Sequence, residues 1–358
     1  MIPFYINAFL ILIIDFVISS TVKDRDKQKK LICVFNTLQI VMFVALRSET
    51  TGNDTLNYVN FFKSIANNPH LALSNTLYEI GFRWYSFLIA FITNDPRVFL
   101  AITAVISIIP FGILIYRYSD NCGLSFFAFS TMEFILFSMT GMRQNVAYFF
   151  VYASFVCFIS NKKQLKILAV ILLILGGLFH MSAWAFSILY VISLVRSVKV
   201  KNYIYICSII FALLFRNQIG TFIVSRFYLS YQVSETSAYS RIVIVGIVLL
   251  FNMLFYNRIE KSIENEVQDR EILAFYRSSV DAIFLTTFFY IIALSVSAAA
   301  REGRYFFVFF IIQLPYFKYL IVKRQRKLFS LICVILLTLL MLYLFPRNGL
   351  CTYGYSFW

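Results

Sequence analysis

Long apolar runs alternating with short basic loops constrain this chain more than any other feature. The first run, Ile2 to Ser20, is followed by Lys23, Arg25, Lys27, Lys29 and Lys30; the second, Leu31 to Leu46, ends at Arg47. Further basic loops fall at 162–166, 196–201, 258–277 and 323–327. Runs of this kind approach the roughly 20 residues a helix needs to cross a bilayer core, and Lys and Arg collect in loops that stay on the cytoplasmic side. Of the 358 residues, 60% are hydrophobic and 14% charged, against about 45–50% and about 25% in soluble domains. The 41 Phe are spread along the whole length, which excludes a soluble enzyme with one anchor and a disordered chain, which would be poor in aromatics. The net charge of +15 follows from topology and contact with anionic lipid, so nucleic acid is not an expected partner.

The expected fold is all-α: a polytopic membrane helix bundle of about twelve crossings, one integral membrane domain over residues 1–358, with both termini outside. Two stretches break the simple alternation. Phe82 to Ile92 is short and carries Arg83, so the segment near 80–93 is expected to be re-entrant or interfacial on the outer side. The stretch between Lys166 and Arg196 is basic at both ends, which forbids a single crossing. It reads as a hairpin of two short helices, Ile167–Phe179 and Ala183–Val195, with His180 at its outer tip. The loop 258–277, with Ile259, Ile263 and Val267 at helical spacing, reads as an amphipathic helix on the inner surface. No internal repeat is evident.

On this topology the outward basic residues are nearly all Arg, including Arg47, Arg83, Arg97, Arg143, Arg301 and Arg304, with Lys63 the exception. Topology selection treats Lys and Arg alike and does not explain the skew. A planar fork that binds phosphate bidentately does, although Arg at a helix end also snorkels to lipid phosphates. Arg143 stands in a short break, Thr140-Gly-Met-Arg-Gln144, and Arg301 and Arg304 share a face if helical. In the loop from Arg47 to Tyr58, Gly52 permits a tight turn and Asp54 can cap a helix starting near Thr55. Glu79 adds a carboxylate on the same side. His180 is one of two His, and His70 lies in a turn-like loop. Three acids fall within apolar segments. Acids within the membrane are site candidates by default; Asp15 and Asp281 lie toward inner ends where water is within reach, whereas Glu133 is mid-segment, either paired inside the bundle with a group such as an Arg or part of the catalytic machinery. Two His and scattered carboxylates give no metal-ligand spacing, and six Cys show no disulfide or zinc pattern; no cofactor is expected.

These residues resemble the EpsG family, a branch of Wzy-type bacterial polysaccharide polymerases. The likeness rests on Arg47 with Gly52, Asp54, Thr55 and Tyr58; Glu79 with Gly81 and Phe82; Arg143-Gln144 with Ala147; Phe179-His180 with Ser182-Ala183; and Arg304-Tyr305. It implies a glycosyltransferase of the cytoplasmic membrane. Such an enzyme polymerises undecaprenyl-diphosphate-linked oligosaccharide units at the outer face, for O-antigen, capsule or exopolysaccharide, beside a flippase and a chain-length regulator of the same pathway. Preorganised Arg (Arg47, Arg143, Arg301, Arg304) would stabilise the charge growing on the leaving diphosphate. His180 would take the acceptor proton, with Asp54 and Glu79 in reserve. The alternatives are a flippase or other transporter, which would usually show repeated halves, and a glycan ligase, which shares the outward chemistry. An acyltransferase would need a His and carboxylate pair, which the sequence does not display.

Overall fold

The structure, a computed structural model, describes residues 2–74, 77–132, 134–160, 162–227, 239–347 and 355–356. Among these the regular elements are all helical: α1 (Ile2–Thr21), α2 (Arg25–Ala45), α3 (Thr55–Asn67), α4 (Leu71–Ser74), α5 (Ile80–Ile92), α6 (Pro96–Tyr118), α7 (Cys122–Thr131), α8 (Phe134–Thr140), α9 (Met142–Ile159), α10 (Lys163–Phe179), α11 (Ser187–Ser193), α12 (Val198–Phe227), α13 (Tyr239–Glu266), α14 (Arg270–Ala293), α15 (Ala299–Gln313) and α16 (Arg326–Leu344). Short 3-10 turns at Met181–Phe186 and Leu314–Leu320 precede α11 and follow α15. Side-chain caps set several of the starts. Asp24 accepts from the amides of Asp26 and Lys27, Asp269 from those of Glu271 and Ile272, and Asn121 from that of Leu124. Asp95 accepts from the amide of Arg97, with Pro96 at the first helical position, where its missing N–H costs nothing.

Seven helices among the described residues are long and apolar enough to cross a membrane: α1, α2, α6, α12, α13, α14 and α16, the last with the turn before it. The pair α7 and α8, bent by 58°, makes an eighth if it is one span. The chain is thus an all-helical, multi-pass membrane protein, but the about twelve expected crossings are not matched by that many long helices. Length accounts for much of the difference. At about 1.5 Å per residue, α10 with 17 residues, α15 with 15 and α11 with 7 fall short of a hydrocarbon core about 30 Å thick.

The apolar stretch 122–140 forms the bent pair α7 and α8. Two local expectations also change. The loop 258–277 is not a helix of its own: α13 runs on to Glu266, a turn passes through Gln268 at φ 54°, and α14 starts at Arg270. Asp281 does not reach water, being fully buried. Glu133 lies outside the described residues. Asp15 lies against Gly123 in the first turn of α7, where the positive end of the helix dipole favours a carboxylate.

Two compact units share the chain, one formed by residues 1–157, 162–181 and 323–358 and the other by 158–161 and 182–322. In the second, α14 packs along α12, α13 and α15. Asp281 there accepts from Lys201 Nζ at 2.6 and 2.8 Å, from Ser193 at 3.2 Å and from the Tyr205 hydroxyl. A buried charge is tolerated when paired and hydrogen-bonded, and this one is both. In the first unit, an aromatic core of Tyr58, Phe61, Phe62, Phe82 and Phe99 joins α3, α5 and the start of α6; Phe62 and Phe99 stack at 4.5 Å.

Candidate active site

Beside that aromatic core two helix ends meet. Glu79 sits in extended backbone just before α5, and His180 is the residue that ends α10, its amide bonded to the Gly176 carbonyl at 3.0 Å. The close approach depends on Gly81. A Cβ there would lie 2.8 Å from the Leu178 carbonyl oxygen and 2.9 Å from the Phe179 ring, distances real side chains do not tolerate. With glycine in place, His180 Nδ1 comes within 2.9 Å of Glu79 Oε1. The other carboxylate oxygen, Oε2, accepts from Nη1 of Arg143, in the first turn of α9. One carboxylate therefore holds a histidine with one oxygen and an arginine with the other.

Two tyrosines complete the setting. The Arg143 guanidinium carbon lies 4.8 Å from the Tyr78 ring centre and 5.9 Å from that of Tyr58, and Nε donates to the Tyr58 hydroxyl at 3.4 Å. Such cation–π contact positions a guanidinium while leaving its charge intact. Burial pushes the Tyr58 and Tyr78 hydroxyls up, against the opposing pull of Arg143, so both stay protonated at neutral pH.

Burial also pushes Glu79 up, but its hydrogen bond with His180 and the positive charge of Arg143 outweigh burial and hold the carboxyl down to about 2. A carboxylate so acidic is a poor proton acceptor near neutrality. Its geometry suits it to orienting His180: an Nδ1–H donated to Oε1 fixes the tautomer in which Nε2 carries the basic lone pair. His180 itself is buried, 7% exposed. Base, orienting carboxylate and clamped guanidinium can together remove a proton from a hydroxyl and stabilise developing negative charge.

The other sequence candidates divide. Asp54 occupies the position before α3, as its cap role requires, but makes no side-chain cap bond; its charge instead acts on Tyr58 and Tyr78. The neighbouring turn is built on Gly52, at φ +98°, where an added Cβ would sit 2.6 Å from the Met139 carbonyl oxygen; the Thr55 hydroxyl bonds that same carbonyl at 2.7 Å. Arg47 is fully buried and donates Nη1 to the Val44 carbonyl at 2.5 Å, so it is no exposed vestibule residue. Arg301 and Arg304 lie half-buried in the first turns of α15, in the second unit. Tyr305 beside them is fully buried, its hydroxyl 3.5 Å from that of Ser182.

Sequence reading placed Glu79, Arg143 and His180 separately and did not join them; a His and carboxylate pair, absent to the eye in the sequence, is present in space. Tyr78 was missed outright. Its one signal is adjacency to Glu79, which carries little weight in a chain that is 19% aromatic.

A helical membrane protein whose half-buried carboxylate clamps a histidine and an arginine has the parts of a transferase. The sequence matches the EpsG family over residues 30–357, and the chain belongs to that family. EpsG-like proteins are Wzy-type polymerases. No curated protein and no solved structure matches the chain.

Proposed function

We propose that this protein polymerises oligosaccharide repeat units carried on undecaprenyl diphosphate, at the outer face of the bacterial cytoplasmic membrane, for O-antigen, capsule or exopolysaccharide. The observation that carries the reading is the double use of Glu79, which sets His180 and Arg143 around one point. The acceptor hydroxyl oxygen attacks the anomeric carbon of the lipid-linked donor, His180 Nε2 takes its proton, the bond from that carbon to the diphosphate breaks, and undecaprenyl diphosphate leaves. The leaving group is already stable as an anion. The demand on the protein is therefore to hold growing negative charge, the part given to Arg143. A chain-length regulator and a flippase are the partners such a pathway needs.

The test is turnover of purified protein on lipid-linked repeat units, with His180→Gln beside the wild type. An amide can replace one hydrogen bond to Glu79 but has no useful basicity. Loss of about 10²-fold or more with donor binding retained supports the base. Near-normal turnover overturns it.

A further inference from the structure

A groove of about 440 Å³ runs between α2 and α6 along an exposed face of the first unit. Its walls, Val34 and Leu38 from α2 and Ile109 and Ile113 from α6, are apolar and exposed. At its floor the helices meet closely, because a Cβ on Gly112 would lie 2.3 Å from the Thr37 hydroxyl oxygen; small residues therefore make the floor. From Lys30 to Val41 the groove extends about 16 Å, at about 1.5 Å per residue. That is the depth of one leaflet in a hydrocarbon core about 30 Å thick. The volume spread over that length leaves a cross-section of about 27 Å², enough for one polymethylene chain and too narrow for a helix about 10 Å across.

One end of the groove is charged. Lys30 lines it, and Lys29 reaches the same end, its Nζ 5.6 Å from the ring centre of Tyr116 on α6. The run from Lys23 to Lys30 holds five basic residues against Asp24 and Asp26, and Asp24 is occupied in capping α2. The same topology that sets His180 outside places this run inside. The far end, at Val41 and Val105, is apolar. An apolar trough one leaflet deep that opens on two ammonium groups matches a hydrocarbon chain carrying a phosphate at its head.

We infer that the groove between α2 and α6 is a binding site for an anionic phospholipid of the inner leaflet, with one acyl chain laid along Gly112 and Thr37 and the phosphate held by Lys29 and Lys30. The site lies on the side of the membrane away from Glu79, His180 and Arg143. It goes beyond the polymerase reading and does not rest on it.

The experiment is native mass spectrometry of the full-length protein, stripped of lipid in detergent and titrated with dioleoylphosphatidylglycerol, dioleoylphosphatidylcholine or glycerol phosphate. A lysine near an anionic headgroup is worth about fivefold in affinity, so the wild type is expected to hold one phosphatidylglycerol about tenfold or more tighter than phosphatidylcholine. Glycerol phosphate, which has the charge but no chain, should not bind. The double variant Lys29→Gln/Lys30→Gln should bring phosphatidylglycerol to the level of phosphatidylcholine. Ile109→Trp, which fills the groove from an exposed position, should weaken both lipids about tenfold. If a variant does not fold, the wild type's preference between the two lipids decides. Equal retention of the two lipids, glycerol phosphate bound as tightly as the lipid, variants that bind as the wild type does, or a dimer of the chain in place of bound lipid overturns the site.

Discussion

Arg143 is held by a carboxylate, a hydroxyl and two aromatic faces at once, and each of these contacts uses the planarity of guanidinium. Lysine would keep the charge and lose the rest. Arg143→Lys is therefore expected to reduce polymer formation strongly at normal expression; unchanged glycan length on gels would show that charge alone suffices. Glu79 carries a pH signature. Its pKa is lowered from 4.5 to about 2, so the ionised carboxylate stabilises the fold fully above its unfolded value, and this contribution is lost as pH falls toward about 2. The wild type should unfold at a higher temperature than Glu79→Gln at pH 7, and the gap should narrow below about pH 4.5; a gap independent of pH would mean the clamp is not electrostatic. These residues were legible as types: an Arg in a short break, a carboxylate before a short helix, a lone His at a helix end. That Glu79 joins the other two was not, because residues so far apart in sequence meet only through helix packing.

The packing of α5 against α10 is the element on which the site turns, and Gly81 permits it. Gly81→Ala places a methyl group against the Leu178 carbonyl, forcing the two helix ends apart and with them Glu79 and His180. Misplacement on the ångström scale costs catalysis about 10²-fold, so turnover should fall by that order while the protein still folds; a fully active Gly81→Ala would show that the helices slide without disturbing the pair. The existence of α5 was readable because thirteen residues with an Arg cannot span, whatever their hydropathy. The bend between α7 and α8 was not, since hydropathy records how apolar a segment is and not whether its axis continues. The stretch 258–277 taught a related lesson: residues at helical spacing announce a helix but not whether it lies alone on a surface or extends a longer one.

Across the whole molecule, the basic loops still predict which way the helices face. Asn53 and Met181 are both exposed, and single cysteines placed there in a chain cleared of its native six should react with an impermeant reagent added to intact cells. Protection of either from outside, with labelling only after lysis, would overturn the orientation. Seven long helices, or eight with the bent pair, answer to the about twelve crossings expected, because several of the apolar stretches fold as helices shorter than a full span. One pairing in the second unit bears on how the chain is made. A lone Asp in the middle of α14 would cost about 2.5–3.5 kcal/mol when a helix is handed from the translocon to lipid, and Lys201 at the start of α12 offsets part of that cost by pairing with Asp281. Since α12 leaves the ribosome first, its lysine is already waiting when α14 emerges. The two helices are thus set to leave the insertion channel as a pair, and the order of synthesis becomes part of how the protein is assembled.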